Sequence, residues 1–390
     1  MANTPLGTIA RNLSTNSAGG FTRQSFTEEE QAQARRKRML RWALQAEARA
    51  LLPNERVAEC LRAINPMSIG VQVLYSSEHQ VAHYKSLIVC GSVWMCPLCA
   101  AKISERRREE LEQAIARHRE QNGGVYMATY TVSHSRHDDL SDLLRAFQKA
   151  RERMKQGMYA QRRKQAFGIV GTISVLEVTW SSLNHWHPHS HELLFTLAYV
   201  SEEESRAYEC ASRLAWRQAA AHFGLHMDDE HGYRLDRTFG AVADYIAKFG
   251  REPVRKPWGV ESEMTKGHIK TGRGTVIEHY TPFALLDQIM QGQTALIPVF
   301  EEYAGCFKGR HQLHWSKGLR KRLLDSDEEL TDEELAAADQ DEAVLLGLLT
   351  RAQWRVVLAN DMRGELLEAA QSGDWQQVEA FLLGIGCDLS

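Results

Sequence analysis

Four histidines at alternate positions of one short stretch could hold a metal ion. The stretch NHWHPHSHELLF, residues 184–195, contains His185, His187, His189 and His191. Because side chains alternate across a strand, His189 and His191 point to one face, where two imidazoles can bind a divalent metal together. Pro188 has no amide hydrogen for a sheet ladder, so we expect it at the start of the strand. His185 and His187 then lie in the preceding loop and are second choices.

A glutamate in the preceding apolar run is the candidate third ligand. Glu177 interrupts the run SVLEVTW, and a charge among apolar residues is rarely buried unless it is paired or bound to a metal. A hairpin loop over residues 181–187 would bring Glu177 opposite His191, on the face of both histidines. Two imidazoles and a carboxylate leave positions for water and a substrate phosphate, which suits Mg²⁺ or Mn²⁺. The alternative is that the histidines decorate an exposed strand or satisfy neighbours in a core.

A tyrosine further along the chain could be the nucleophile that such a metal serves. The segment AVADYIAKFG, residues 241–250, is predicted to be a short helix with Tyr245 and Lys248 on one face and Asp244 beside them. A tyrosine can attack a phosphodiester that a metal has polarised and form a phosphotyrosyl intermediate. Lys248 would neutralise the phosphate or steady the phenolate. The simpler alternative is a buried Tyr245 stacked on Phe249.

A group of cysteines suggests a second metal site. Cys90, Cys96 and Cys99 have the close spacing of a zinc knuckle, and Cys60 is the preferred fourth ligand. Four thiolates would close the coordination sphere, so this zinc would be structural. Unrelated buried cysteines are the alternative. The other residues considered for the fourth position are His79 and His83.

The elements that must position these residues alternate in α+β order. A Gly-, Ser- and Asn-rich start is followed by a helix with Thr27 as its N-cap. The pattern of apolar residues predicts strands at 125–134, 171–180 and 189–200. It predicts helices at 27–52, 100–121, 138–157, 201–224 and 240–250. The remainder is predicted to be helical apart from loops.

Charge is distributed unevenly along the chain. The net charge is −3, but residues 325–342 hold ten acidic residues and no Lys or Arg, so the remainder carries +7. Basic residues and aromatics are interleaved in 151–164 and 308–322, which suits a phosphate backbone, although solvated helix faces can have the same composition. No run of about 18 apolar residues and no apolar signal core occurs. We therefore expect no membrane insertion and a cytoplasmic location, which the seven cysteines also fit as a reduced compartment.

These motifs, in this order, resemble those of HUH endonucleases. The resemblance rests on YMATYTVSH (126–134), on HPHSH (187–191) and on the later Tyr-x-x-Lys. Within that class, CGSVWMCPLCAAKISERRREEL (90–111), NHWHPHSHELLF and WSKGLRKRLL (315–324) look like the replication initiators of rolling-circle plasmids. The resemblance covers about residues 60–322.

The resemblance implies a fold and an activity. The fold is an antiparallel central sheet flanked by helices, with the histidines on a central strand, an N-terminal zinc-binding segment and a helical C-terminal region. Tyr245 would nick one strand of origin DNA, stay on the 5′ phosphate, free a 3′ hydroxyl as primer and later rejoin strands. His189, His191 and Glu177 would hold the catalytic metal. The implied partners are single-stranded DNA and double-stranded origin DNA, with a host helicase and polymerase; a homodimer is left open.

The chain divides on this basis into five segments. They are a disordered N-terminus (1–26), an N-terminal helix with the zinc-binding segment (27–122), the HUH endonuclease domain (123–280), a basic helical extension (281–323), and an acidic linker with C-terminal helices (324–390).

The sequence departs from the family pattern at three positions. Ser190, which is not bulky or apolar, lies between the two metal histidines. Phe249 and Ala241 occupy positions where relatives have a second tyrosine or an acid. The second strand transfer therefore stays open between a water activated by Asp244 or Glu252 and the Tyr245 of a second protomer.

Three other functions compete with the plasmid initiator. A transposase or relaxase would use the same chemistry. A zinc-dependent hydrolase of small molecules would need an acid beside the last histidine, whereas Glu192 is predicted to point to the opposite face. A non-enzymatic DNA-binding protein would need the cysteine group alone.

Overall fold

The computed structural model describes residues 28–77, 80–236, 279–337 and 343–388. The chain divides into two compact units, Met1–Arg106 with Leu330–Ser390, and Arg107–Glu329, and each is described by itself. Residues 1–26, His79 and the predicted helix 240–250, with Tyr245 and Lys248, lie outside the described residues. None of the described helices has the length and apolar character needed to cross a membrane.

The helices and strands follow in chain order. The helices are α1 (Glu28–Leu51), α2 (Pro97–Glu120), α3 (Leu140–Met154), α4 (Gly157–Ala166), α5 (Glu202–His222), α6 (Pro282–Met290), α7 (Ile297–Phe307), α8 (Leu319–Leu324), α9 (Asp332–Ala337), α10 (Arg351–Ala359), α11 (Arg363–Ala370) and α12 (Trp375–Gly384). The strands are β1 (Val71–Ser76), β2 (Val81–Lys85), β3 (Gly124–Tyr130), β4 (Ile169–Ser181), β5 (His185–Thr196), β6 (Tyr233–Asp236), β7 (His279–Tyr280), β8 (Leu313–Trp315) and β9 (Ala343–Leu349).

The first unit is built from both ends of the chain. Its antiparallel sheet has the order β2-β1-β9, in which Val73 pairs with Tyr84 on one side and Gly347 on the other. Helices α10 to α12 supply apolar side chains such as Trp354 to the core beneath this sheet. Gly347 allows the Trp375 ring to lie directly on β9, because a Cβ at position 347 would come within 2.4 Å of that ring.

The second unit is a six-stranded antiparallel sheet with helices on both faces. Its order is β6-β3-β5-β4-β7, and β8 also pairs with β4. On one face, alternate apolar residues of β3, β4 and β5 pack against helices α2 and α8 and strand β8. On the other face, Trp216 of α5 packs edge-on against both Tyr130 of β3 and Phe147 of α3. The architecture confirms the predicted α+β class and the predicted antiparallel sheet flanked by helices.

The predicted start of the histidine strand is wrong. Strand β5 begins at His185, so His185 and His187 lie in the strand and not in a loop. Pro188 pairs with Val178 inside the ladder. Its missing amide hydrogen is tolerated there because the pairing of β3 with β5 ends at Ser190, so among the described strands β5 has only β4 beside Pro188.

The hairpin is also tighter than expected. Strand β4 continues to Ser181, which pairs with His185, so the loop contains three residues instead of seven. The backbone of His185 has a φ of 59°, the left-handed conformation that closes the turn. Glu177 therefore pairs with His189 and not with His191.

Two other expectations need correction. The predicted helix at 138–157 is interrupted after Met154, and Gly157, with a φ of 83°, begins the separate helix α4. The region after residue 280 is not helical throughout: β8, inside the segment 281–323, pairs with β4, and β9 pairs with β1. A short apolar run such as that of β9 fits a buried helix or a strand equally well by periodicity alone.

Candidate functional site

Three buried side chains on neighbouring strands form the candidate metal centre. The Oε2 atom of Glu177 on β4 contacts the Nε2 atom of His189 and lies 3.3 Å from the Nε2 atom of His191, both on β5. One potential ligand atom from each residue lies within 4.8 Å of the others. All three residues are at most 7% exposed. The arrangement could hold a metal ion.

The sheet explains why these residues meet. Glu177 pairs directly with His189, and His191 is two residues further along the same strand. The observed register differs from the predicted one by two residues, which preserves the face because side chains alternate with a period of two. Next to the metal group, away from the hairpin loop, the same face of the sheet carries the core residues Val175 of β4 and Leu193 of β5.

Hydrogen bonds hold both imidazoles in orientation. The Nδ1 atom of His189 lies 3.2 Å from the carbonyl oxygen of His187, to which only a protonated Nδ1 can donate. When the ring is neutral, Nε2 is therefore the unprotonated nitrogen, and it faces Glu177. The Nδ1 atom of His191 lies 3.0 Å from the hydroxyl of Thr129 on β3. Contacts of this kind orient metal-binding histidines. Thr129 lies in the motif YMATYTVSH (126–134), but it was not predicted as a site residue.

The electrostatics of the group favour a cation. Burial alone would raise the pKa of Glu177, but the charges and hydrogen bonds of His189 and His191 bring it down to about 2. Burial alone would lower the pKa of His189, but Glu177 raises it. The second carboxylate oxygen of Glu177, Oε1, is buried without a hydrogen-bond partner among the described residues. A buried ionised carboxylate with an unpartnered oxygen fits a bound divalent ion.

More histidines surround this centre than the sequence predicted as ligands. The Nδ1 atoms of His187 and His134 are 3.1 Å apart, and the ring centroid of His187 lies 5.3 Å from that of His189. Burial and the neighbouring histidines, His189 first, lower the pKa of His187 to about 3, so its ring is neutral. His279 on β7 belongs to the same surroundings, since its charge affects His134 and His187. Neither His134 nor His279 was predicted as a site residue.

Glu192 points to the opposite face, as the alternation of the strand predicted. One carboxylate oxygen lies 2.5 Å from the Nζ atom of Lys155, and the other accepts a hydrogen bond of 2.8 Å from the hydroxyl of Tyr130. Although burial alone would raise the pKa of Glu192, Lys155 and Arg151 hold it at about 2. Glu192 therefore connects β5 to Lys155 and Tyr130 on the face of the sheet opposite the metal group.

The four cysteines of the predicted zinc site lie together in the first unit. The Sγ atom of Cys60 is 3.5 Å from that of Cys99 and 3.7 Å from that of Cys96, and Cys90 is 3.6 Å from Cys99. Four sulfurs bound tetrahedrally at about 2.3 Å would be roughly 3.8 Å apart. All four side chains are buried, and the group could hold a metal ion. His83 is not a member of it.

The predicted basic region 151–164 has exposed cations next to exposed apolar side chains. The first turn of helix α4 contains Met158 and Tyr159, which are 63% and 83% exposed. Arg162 and Lys164 are exposed on the same helix. This surface combines cations with an accessible aromatic ring.

Comparisons with known proteins agree with part of the resemblance. A family model described as Replication protein matches residues 85–208. Protein rep of Streptomyces lividans is 28% identical over 357 residues, which cover 74% of this chain and 76% of that protein. The Neomycin resistance protein of Streptomyces cyanogenus is 31% identical over 132 residues, which cover 28% of this chain and 30% of that protein.

The family match covers the candidate metal centre and most of the cysteine group. It includes three of the four clustered cysteines, the strands β3 to β5 and the group Glu177, His189 and His191. No solved structure matches the chain. The similarities support a replication protein.

Proposed function

We propose that this chain initiates rolling-circle replication of a plasmid by nicking single-stranded origin DNA, and that its second unit is an HUH endonuclease domain. The observation that carries the proposal is the buried group of Glu177, His189 and His191, with one carboxylate oxygen unpartnered among the described residues. The similarity to replication proteins over residues 85–208 supports DNA as the substrate of this group.

Glu177, His189 and His191 would hold Mg²⁺ or Mn²⁺, whose ligand preferences suit imidazole and carboxylate with open positions. When bound, the ion supplies Lewis acidity at a scissile phosphodiester. Near the centre, His187 is half-buried and its pKa is lowered to about 3, so its neutral ring adds no charge that would compete with the ion.

Tyr245 would be the nucleophile and Lys248 its assistant; both lie outside the described residues. The phenolic oxygen attacks the phosphorus atom, the bond to the 3′ oxygen breaks, and that oxygen takes up a proton. The products are a 5′ phosphotyrosyl bond and a free 3′ hydroxyl that a polymerase can extend. Attack by a 3′ hydroxyl on the phosphotyrosyl bond reverses the step and joins strands, since the bond energy is conserved.

The cysteine group would hold a structural zinc ion. Cys60, Cys90, Cys96 and Cys99 are buried and close the coordination sphere, so no position is left for a substrate. A structural ion of this kind stabilises a fold and is lost with it.

A transposase or relaxase would use the same chemistry, and the similarity to replication proteins favours the initiator. Origin DNA and a host helicase and polymerase are the proposed partners, with a homodimer left open. The zinc-dependent hydrolase is less well supported, because Glu192 binds Lys155 and Tyr130 on the opposite face of the sheet.

The test uses libraries of labelled single-stranded DNA that contain plasmid origin sequences. Incubation with Mn²⁺ or Mg²⁺ should yield a covalent adduct at Tyr245 and a shorter DNA with a 3′ hydroxyl. Tyr245→Phe should abolish the adduct and keep DNA binding, because only a hydroxyl is lost. An adduct that persists in Tyr245→Phe would show that the nucleophile is misassigned, and cleavage supported by zinc alone would favour the hydrolase.

A further inference from the structure

Helix α4 presents a surface that the proposed nicking reaction does not use. Met158 and Tyr159 lie four and three residues before Arg162, so the three side chains share one side of the helix. We call these three residues the α4 surface. Ala160 is the buried residue of the helix and faces the rest of the unit, so the α4 surface faces away from it.

The start of α4 lies on the face of the sheet opposite the candidate metal centre. The preceding helix α3 has Lys155 as its C-cap, and the Nζ atom of Lys155 lies 2.5 Å from a carboxylate oxygen of Glu192. Glu192 follows His191 directly in β5, so its side chain points to the other face of the sheet. Lys155 is two residues before Gly157, where α4 begins. The chain therefore enters α4 on the face away from the candidate metal centre.

The end of α4 lies on the same face as its start. Its C-cap, Phe167, stacks on Tyr208 of α5 with ring centroids 4.1 Å apart and packs edge-on against Tyr126 of β3. Tyr126 is three residues before Thr129, so the alternation of the strand directs it away from the face on which Thr129 contacts His191. The sheet therefore separates the α4 surface from the candidate metal centre.

The charge around the α4 surface is positive. The segment 151–164 contains six Arg or Lys residues, and its one acidic residue is Glu152. Three of the six cations are engaged within the unit, and these are Arg151, Lys155 and Arg163. The other three are exposed, and their side chains form no ion pair or hydrogen bond with another described residue; they are Arg153, Arg162 and Lys164. Exposed cations without a carboxylate partner suit an anionic ligand.

The exposed ring of Tyr159 narrows the class of that ligand. Bases of a single strand stack on aromatic side chains while cations hold the neighbouring phosphates. A base in a duplex already lies between its stacked neighbours, so its face is not available to a tyrosine at the surface. The combination of Tyr159 with Arg162 therefore suits unpaired nucleic acid better than a duplex.

We propose that the α4 surface binds single-stranded DNA, with a base on Tyr159 beside Met158 and phosphates at Arg162 and the flanking Arg153 and Lys164. This DNA is a different stretch from the one at the candidate metal centre, because the two sites lie on opposite faces of the sheet. The site holds a second unpaired stretch of origin DNA on the protein. The choice of DNA rests on the proposed function, but binding at the α4 surface requires neither a metal ion nor nicking.

The test is photochemical cross-linking of the full chain to a single-stranded oligonucleotide that contains 5-iodouracil. Irradiated iodouracil forms adducts with aromatic side chains that stack on it, and mass spectrometry of the digested protein identifies the residue. No Mn²⁺ or Mg²⁺ is added, so an adduct can form even if the chain does not nick DNA. We expect an adduct at Tyr159 with the single strand and none when the oligonucleotide is annealed to its complement.

Variants show whether the ring is responsible. Tyr159→Leu should remove the adduct and weaken single-strand binding by about tenfold, which is within the range for one stacked base. Tyr159→Phe keeps the ring and should keep both the adduct and the affinity. Leu214→Ala removes a side chain that is 53% exposed on α5, and it should change neither quantity. An unchanged melting temperature will show that each variant is folded.

Three results would overturn the proposal. They are the absence of an adduct at Tyr159, a single-strand affinity that Tyr159→Leu leaves unchanged, and a duplex that is cross-linked as efficiently as the single strand. Loss of a dimer in Tyr159→Leu with unchanged DNA affinity would instead assign the α4 surface to contact between two copies of the chain.

Discussion

Glu177 and His189 face each other across neighbouring strands, and the carboxylate of Glu177 meets Nε2 of His189 in a buried position. Glu177 pairs directly with His189 because the loop of the hairpin contains only three residues. The contact lowers the pKa of Glu177 and raises the pKa of His189, so the two groups stabilise each other's charged forms. A divalent ion would replace the imidazolium proton at this point.

The first prediction concerns metal affinity. Glu177→Gln should weaken Mn²⁺ binding by more than about tenfold, because the ionised ligand is replaced by a neutral amide. Titration calorimetry of the full chain measures this. Glu192→Gln is the matched control, since Glu192 is equally buried on the other face of the same sheet, and it should leave Mn²⁺ affinity unchanged. Equal effects of the two variants would show that the centre does not bind the metal.

The second prediction concerns acid stability. The pKa of Glu192 is depressed to about 2 in the folded state, so its contribution to the free energy of unfolding is full above its ordinary value of 4.5 and disappears as the pH falls towards 2. The contribution is at most about 3 kcal/mol, reduced by the partial exposure of Lys155.

Urea unfolding in the presence of a chelator tests this expectation. Glu192→Gln should be less stable than the unchanged chain at pH 7, and the difference should shrink between pH 5 and pH 3. A difference that stays constant with pH would mean that the effect comes from packing and not from the charge of Glu192.

The third prediction concerns the cysteine group. Cys96→Ser should remove about one equivalent of bound zinc and lower the melting temperature, since loss of one ligand opens a structural site. Metal analysis and calorimetry measure the two effects. Cys210 is exposed on α5 and far from the group in sequence, so Cys210→Ser should change neither quantity. Full zinc content in Cys96→Ser would remove this residue from the ligand set.

The fourth prediction concerns the basic surface of α4. Arg162→Ala with Lys164→Ala should weaken binding of origin DNA and reduce the slope of log affinity against log salt by about two, because two phosphate contacts are lost. Arg206→Ala removes an exposed cation of α5 that is paired with Glu202, and it should leave the slope unchanged. An unchanged slope in the double variant would exclude this surface from phosphate contact.

The shared face of the metal group was predictable, but its register was not. The alternation of side chains places Glu177, His189 and His191 on one face for any shift of two residues. The actual register depends on His185, which adopts a left-handed backbone conformation in the turn although it is not a glycine. No local sequence signal predicts this conformation. Pro188 led to the wrong strand start because a proline is tolerated inside a strand where no second neighbouring strand needs its amide hydrogen. Whether that holds depends on where β3 ends, which is a property of the assembled sheet.

Long-range pairing limited the prediction elsewhere in the chain. The strand β9 has no charged residue and pairs with β1, about 270 residues earlier, so its partner is invisible in any local window. The segments predicted as a helical C-terminal region therefore include a strand of the first unit. Cys60 was found because thiolates are rare and metal coordination requires four ligands, a constraint that does not depend on distance along the chain.

The pairing of β1 with β9 also sets the order in which the protein can fold during synthesis. The second unit is continuous in sequence and is complete once residue 329 has been made. The first unit must wait for β9 and the three helices that follow it, although the cluster of Cys60, Cys90, Cys96 and Cys99 leaves the ribosome early. A polypeptide that stops before residue 343 would therefore contain all strands of the second unit and its metal group, but β1 would lack its partner β9. Early termination would thus leave the second unit complete and the first unit incomplete.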